Sequence, residues 1–425
     1  MACRPETRML PRSNELLLQF LHRDPALPAA AQLALLSAAD WNALVADAIR
    51  CQIAAQVRDR IRAEPGREAV APPDCLDRLN DSVRITLMRN MHQQVQLRRM
   101  AAACQAADLP VMLLKGLWLA EIVYRDLSAR PSTDIDLLLR PADMPRFTRL
   151  ALQMGFNVPA EASNICDLRP GGNEFPLIHA AERSYFDIHW AMTLAPDEAL
   201  IDEEQMWRRS EMFAVAGTSC RSLGPEDHLL YVCFHAADHH RFLYVGPRAL
   251  LDVATLVSTP PRPIDWAAVV SRARELRWAR GVWLMLDLAR LHLGAPVPSS
   301  ALAALEPADP PDEALRGAVL DALFLDMRHK QGLPMNVVRL FEQNSLRRRT
   351  ALLLTRLFPP RQHVAAYFKI GVGTRRMFWL YARRWGMLLR HDLPKVGRLV
   401  TGDRRRNDEL ERTRRINRWF GKRDP

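Results

Sequence analysis

A change of hydrophobic period at Leu109 constrains this chain more than any other feature of its sequence. Before that point the apolar residues recur at helical spacing, as in "AAQLALLSAADWNALVADAIRCQIAAQVRDRI" and "CLDRLNDSVRITLMRNMHQQVQLRRMAAACQAA", with a Pro-containing break at "AEPGREAVAPPD". From there the runs become short. "LPVMLLKG" (109–116) reads as a buried strand, "LWLAEIVY" as a short helix, and "DIDLLLR" as a second strand. "PADMPRFTRLALQMGF" opens with a proline at a first-turn position and is spaced as a helix. "EFPLIHAA" and "SYFDIHW", separated by "ER", make a hairpin. Helical periodicity returns at "SLGPEDHLLYVCFHAADHH". A chain with this order is an α+β protein: helical over 1–105, a mixed sheet core over 106–215, helical again over 216–332, and a basic helical region over 333–425 ending in a disordered tail.

Composition narrows the class further. The longest apolar run at the N-terminus is "LLL", and no stretch reaches the roughly 18 residues that a spanning helix requires. The seven cysteines form no CxxC pair, which points to reduced thiols and a cytoplasmic setting. The net charge of +11 is uneven: residues 345–425 hold 22 Lys and Arg against 6 Asp and Glu, so the first 344 residues are net acidic. The segment "HVAAYFKIGVGTRRMFWLYARRWGMLLRHDLPKVGRLV" mixes aromatic and basic residues. That composition suits a helical pair packed on the core, an anionic membrane surface or acidic partner, or, less well, nucleic acid.

The candidate chemistry lies at "RPSTDIDLLLRP" (130–141). Residues two apart on a strand share a face, so Asp134 and Asp136 present two carboxylates side by side while Ile135 points into a core. Two like charges this close favour a cation between them, and oxygen-only ligation selects Mg²⁺ or Mn²⁺. "YFDIHW" repeats the pattern with Asp187 and His189, and Asp187 becomes a third carboxylate if the two strands pair. Lys115 and Gly116, after the first strand, suit phosphate binding: a point charge beside a backbone that can approach closely. Arg130 sits beside the carboxylates, where a phosphate contact is open to it. His189 is open to orienting Asp187, to meeting an acceptor, or to simple packing. His235 and His239, at i and i+4, have a zinc-compatible spacing but better suit core polar contacts or substrate contacts across the cleft, and Asp252 reads as a buried partner or a cap, with a role near the nucleotide also open to it.

The blocks "VMLLKGLWLAEIVYRDLSARPSTDIDLLLRPADMPR", "FDIHW" and "LGPEDHLLYVCFHAADH", in that order, resemble the uncharacterised bacterial nucleotidyltransferase family within the DNA polymerase beta-type superfamily. The resemblance runs from about Leu109 to about Met285. It implies a nucleotidyltransferase-type mixed β-sheet core, Asp134, Asp136 and Asp187 as metal ligands, and Lys115 and Gly116 at the phosphates of an NTP. Where the wider superfamily usually has Gly-Ser or Gly-Gly, this chain has Gly116-Leu117, which leaves the missing contact to Lys115, Arg130 or Ser132. The expected reaction is metal-dependent transfer of a nucleoside monophosphate to a hydroxyl acceptor that the sequence does not identify. A nucleotide-sugar transferase using the same carboxylate site, and a nucleotide-binding scaffold of weakened activity, stay open beside it.

Overall fold

The computed structural model describes residues 12–158, 173–193, 201–325, 379–383, 385–386 and 404–421. They belong to two compact units, one running to Phe324 and one over Leu325–Lys422.

The first unit begins with helices α1 (Arg12–Leu21), α2 (Ala30–Leu33), α3 (Ala38–Arg50), α4 (Ala54–Arg62), α5 (Pro65–Val70) and α6 (Pro73–Ala106). The region read as a break therefore contains a short helix, α5, which Pro65 starts because a first-turn proline gives up only an N–H that has no partner anyway. Helix α3 is opened by a reciprocal cap in which the Asp40 amide donates to Ser37 Oγ and the Ser37 amide donates to Asp40 Oδ2. Helix α6 buries a seam at Cys75, Leu79, Val83, Thr86, Asn90, Gln93, Leu97, Met100 and Cys104, with steps of three or four residues. Asn90 and Gln93 are polar positions within that apolar seam.

The core follows as β1 (Met112–Leu113), α7 (Gly116–Trp118, continued by a π turn over Leu119–Val123), β2 (Ile135–Leu138), α8 (Met144–Gln153), β3 (Glu174–His179), β4 (Ser184–His189), α9 (Glu203–Arg209), β5 (Glu211–Val215) and β6 (Thr218–Ser222). The strands form one mixed sheet in the order β3-β4-β2-β1-β6-β5. Strand β2 runs parallel to β4 and antiparallel to β1, and β1 runs parallel to β6. The sheet thus extends past residue 215, because the hairpin β5–β6, which the apolar pattern does not announce, adds to its edge through β1. Ile135 and Leu137 lie opposite Phe186 and Ile188 on one face of the sheet, all four buried, and Phe156 meets Phe186 edge-on.

Helices α10 (Pro225–Phe234, continued by a π turn over His235–His239), α11 (Arg248–Ser258), α12 (Trp266–Glu275), α13 (Ala279–Leu293), α14 (Ser299–Leu305) and α15 (Glu313–Leu323) complete the unit. Gly294, at φ +66°, closes α13 in the left-handed conformation that a β-carbon would oppose. The Trp118 ring stacks on His228 with centroids 3.7 Å apart, which locks the start of the π turn onto α10.

In the second unit, α16 (Arg404–Phe420) occupies most of the Arg-rich stretch read as a disordered tail. The order has a local cause: Thr413, Ile416 and Trp419 recur every three residues and are buried, and Glu411 stands four residues before Arg415. The aromatic and basic segment before it falls almost wholly outside the described residues. No helix among the described residues is long and apolar enough to cross a membrane.

Candidate active site

The site is assembled at one end of β2 and β4. Parallel pairing puts Asp136 directly opposite Asp187, and Asp134, one residue before β2, shares their face. The strand pairing left open by the sequence is therefore present, and it brings the three carboxylates together. Asp136 is only 3% exposed.

The electrostatics follow from this crowding. Burial and the neighbouring Asp134 and Asp136 carboxylates push Asp187 up to about 6. Burial and Asp136 likewise raise Asp134 above the ordinary carboxylate range. Asp136 goes the other way. Burial opposes its charge, but the Lys115 ammonium and a hydrogen bond from His189 outweigh that and bring it down to about 2. Lys115 Nζ lies 3.2 Å from Asp136 Oδ1, and His189 Nε2 lies 3.1 Å from the same oxygen. His189 therefore steadies Asp136 rather than Asp187. On its other side, His189 Nδ1 lies 3.2 Å from Glu174 Oε2, outside hydrogen-bond alignment. Tyr185, two residues before Asp187 on the same face, is itself pushed up to about 12, by desolvation first and then by that carboxylate.

Gly116 and Ser132 meet beside the carboxylates. Gly116 has φ +24°, and a β-carbon there would stand 2.8 Å from Ser132 Oγ and 3.5 Å from the Asp134 carbonyl oxygen. Only glycine allows the two segments to approach this closely. Leu117 is buried, and the hydroxyl beside Gly116 belongs to Ser132, which donates to the Asp134 carbonyl at 2.7 Å. Lys115 has φ +24° and ψ −119°, a strained conformation for a residue with a side chain.

The loop carrying Asp134 is held from two directions. From α6, Asn90 Nδ2 donates to the Leu127 and Arg130 carbonyls, its Oδ1 accepts from the Ser132 amide, and Gln93 Nε2 donates to the Ser132 carbonyl. From α11, Asp252 accepts from Arg130 Nε and Nη2 at 3.2 and 2.9 Å and from the Tyr124 hydroxyl at 2.8 Å, and Arg248 donates to the Pro131 carbonyl. Arg130 also donates to the Gly116 carbonyl, so its guanidinium is committed within the protein. Asp252 is a buried partner, one of the roles its sequence suggested. His235 Nε2 faces Lys115 Nζ at 3.2 Å, while the His235 and His239 rings stack 5.6 Å apart.

Among the described residues, no three His, Cys, Asp or Glu side chains are gathered to enclose a metal ion. The donor set nevertheless fits Mg²⁺ or Mn²⁺ in kind. It offers oxygen ligands only, and the raised Asp134 and Asp187 mark negative charge that Lys115 does not neutralise. Magnesium in phosphoryl-transfer sites uses one or two carboxylates together with substrate phosphates rather than an all-protein cage.

Sequence reasoning missed Glu174, Tyr185, Asn90, Gln93 and the Lys115–His235 contact. Asn90 and Gln93 did leave a signal, as polar residues on the apolar seam of α6. Residues 37–294 match the model of a family described as uncharacterised nucleotidyltransferase. Neither the curated proteins nor the solved structures gave a match.

Proposed function

Since the chain belongs to the uncharacterised nucleotidyltransferase family, we propose that it transfers a nucleoside monophosphate from an NTP to an acceptor hydroxyl, using Mg²⁺ or Mn²⁺ on Asp134, Asp136 and Asp187. The observation that carries this reading is the parallel register that seats Asp136 against Asp187, with Asp134 on the same face. When bound, the divalent cation supplies positive charge to the triphosphate and acidifies the attacking hydroxyl.

The chain's own residues account for the remaining requirements. Lys115 offers its ammonium to the phosphates, and Gly116 keeps a β-carbon out of their path. Ser132 shapes the loop beside Gly116, its one hydroxyl donor being held by the Asp134 carbonyl. Asp187, paired directly opposite Asp136, is placed to take up the acceptor proton as the new oxygen–phosphorus bond forms and pyrophosphate leaves. Arg130 and Asp252 frame the loop instead of meeting substrate, and His189 fixes the Asp136 carboxylate.

The test is an assay for pyrophosphate release with each of the four NTPs and an acceptor panel, run beside a screen for nucleoside diphosphate release from nucleotide sugars. Metal-dependent nucleotide binding is measured in parallel. Asp134→Asn combined with Asp136→Asn should abolish both metal-dependent binding and transfer while the fold persists. Unchanged transfer in that double variant would refute the assignment.

A further inference from the structure

Lys115 is positioned by more than the carboxylate beside it. Its backbone is strained, and such a conformation persists only where the surroundings over-determine it. The ammonium lies 3.2 Å from Asp136 Oδ1, 3.2 Å from His235 Nε2 and 5.8 Å from the centre of the Tyr231 ring. Asp136 comes from the sheet, whereas Tyr231 and His235 come from α10 and its π turn, His235 standing 120 residues after Lys115.

An ammonium has three donors and no acceptor, so the His235 nitrogen facing it must carry a lone pair, and the ring proton must sit on Nδ1. This agrees with the environment, since burial first and the Lys115 charge second hold His235 neutral. The lone pair directed at Lys115 is thereby committed. The ring is fixed by its own neighbours: His239 stacks beside it and His240 meets it edge-on at 4.5 Å. Single π turns recur at functional sites, and this one is followed by Arg241, Phe242 and Tyr244, all at positive φ.

We infer that His235 is a positioning residue that holds the Lys115 ammonium at the rim of the carboxylate cluster, so that the helical half of the unit sets how tightly the sheet core grips a nucleoside triphosphate. The inference rests on the nucleotidyltransferase reading. Without His235, Asp136 is the remaining polar anchor of Lys115. The ammonium then settles onto that carboxylate, where it competes with the metal ion for the same charge, and is withdrawn from the phosphates.

The experiment is equilibrium binding of Mg·ATP, Mg·GTP, Mg·CTP and Mg·UTP to the full chain by calorimetry, which needs no acceptor. His235→Leu and Lys115→Met should each weaken the tightest of the four by roughly tenfold, the scale of one charge-assisted hydrogen bond. The double variant should bind no more weakly than Lys115→Met alone, because His235 acts through Lys115. His235→Gln, which keeps an acceptor at similar reach, should recover most of the affinity, and the shorter His235→Asn should not. Circular dichroism checks that each variant is folded, and if His235→Leu fails to fold, the Gln and Asn pair carries the test. Wild-type affinity in His235→Asn, or losses that multiply in the double variant, would overturn the inference. A wild-type chain that binds none of the four would remove the nucleotidyltransferase reading and this inference together, an outcome distinct from a wild type that binds and a variant that is unaffected.

Discussion

Replacing Asp187 by Asn should stabilise the metal-free protein, and by an amount that depends on pH. An unfolded aspartate loses its proton near pH ~4, whereas burial and the Asp134 and Asp136 carboxylates keep Asp187 protonated up to about 6 in the folded chain. Between those values the folded state binds the extra proton, so wild-type stability must fall as pH rises through the window. At about 1.4 kcal/mol for each pH unit, the full penalty above pH 6 is about 3 kcal/mol, and solvent at this partly exposed side chain reduces it to roughly 1–3 kcal/mol. Asn keeps the shape and removes the charge. Urea unfolding of both proteins from pH 4 to pH 8 in a chelator should therefore show Asp187→Asn gaining on wild type through the window and then levelling off. Millimolar Mg²⁺ should reverse the order, because a ligand that binds only the folded state stabilises it by mass action and the variant has lost a ligand oxygen. A stability difference that does not change with pH would refute the crowded-carboxylate argument. A Mg²⁺ effect of equal size in both proteins would refute a metal role for Asp187.

Asp136 predicts the opposite pH dependence. Its depressed value means that the stability it contributes is present above pH ~4 and lost as pH falls toward about 2, so acid unfolding of Asp136→Asn should be flatter than wild type in that window by roughly 2 kcal/mol. Asp252→Ala should destabilise the fold by about 3–5 kcal/mol in thermal or urea unfolding, because it leaves the buried Arg130 guanidinium without its bidentate partner, and Arg130→Met with Asp252→Leu should recover much of that loss. Gly116→Ala should cost about 1–3 kcal/mol and weaken nucleotide binding, with Ser132→Gly relieving part of the stability loss by removing the oxygen 2.8 Å from the new β-carbon. The basic C-terminal region should carry the full chain onto vesicles containing anionic lipid and release it at high salt in sedimentation assays. Equal binding to neutral vesicles would count against an electrostatic surface.

The site was legible in the sequence to the extent that its groups are close along the chain or governed by strand alternation. Asp134 and Asp136 share a face once their segment is extended, and the Asp187–His189 pattern offers a second such face. Gly116 reads as a place where the backbone can approach a phosphate, whereas the group that the structure brings against it is the Ser132 hydroxyl, which no local pattern names. Arg130 shows where local reading stops. A guanidinium beside a metal site suggests a phosphate contact, and only the arrival of Asp252 from α11, 122 residues later, shows that its donors are used inside the protein. His189 is a similar case, since strand spacing pairs it with Asp187 while the parallel register of β2 and β4 turns it to Asp136.

By itself the sequence determined the kinds of elements and their order: a helical start, a mixed core after Leu109, a helical return, and an acidic pair at the mouth of a strand. These depend on the period of apolar residues and on turn chemistry, which act over a few residues. Tertiary structure alone decided which carboxylate received Lys115, which loop Asn90 and Gln93 held, and that the helical half reaches the sheet through Asp252, Arg248 and His235. Those outcomes depend on strand register and on the burial of charges that must find partners from distant parts of the chain, and no local pattern encodes which partner arrives.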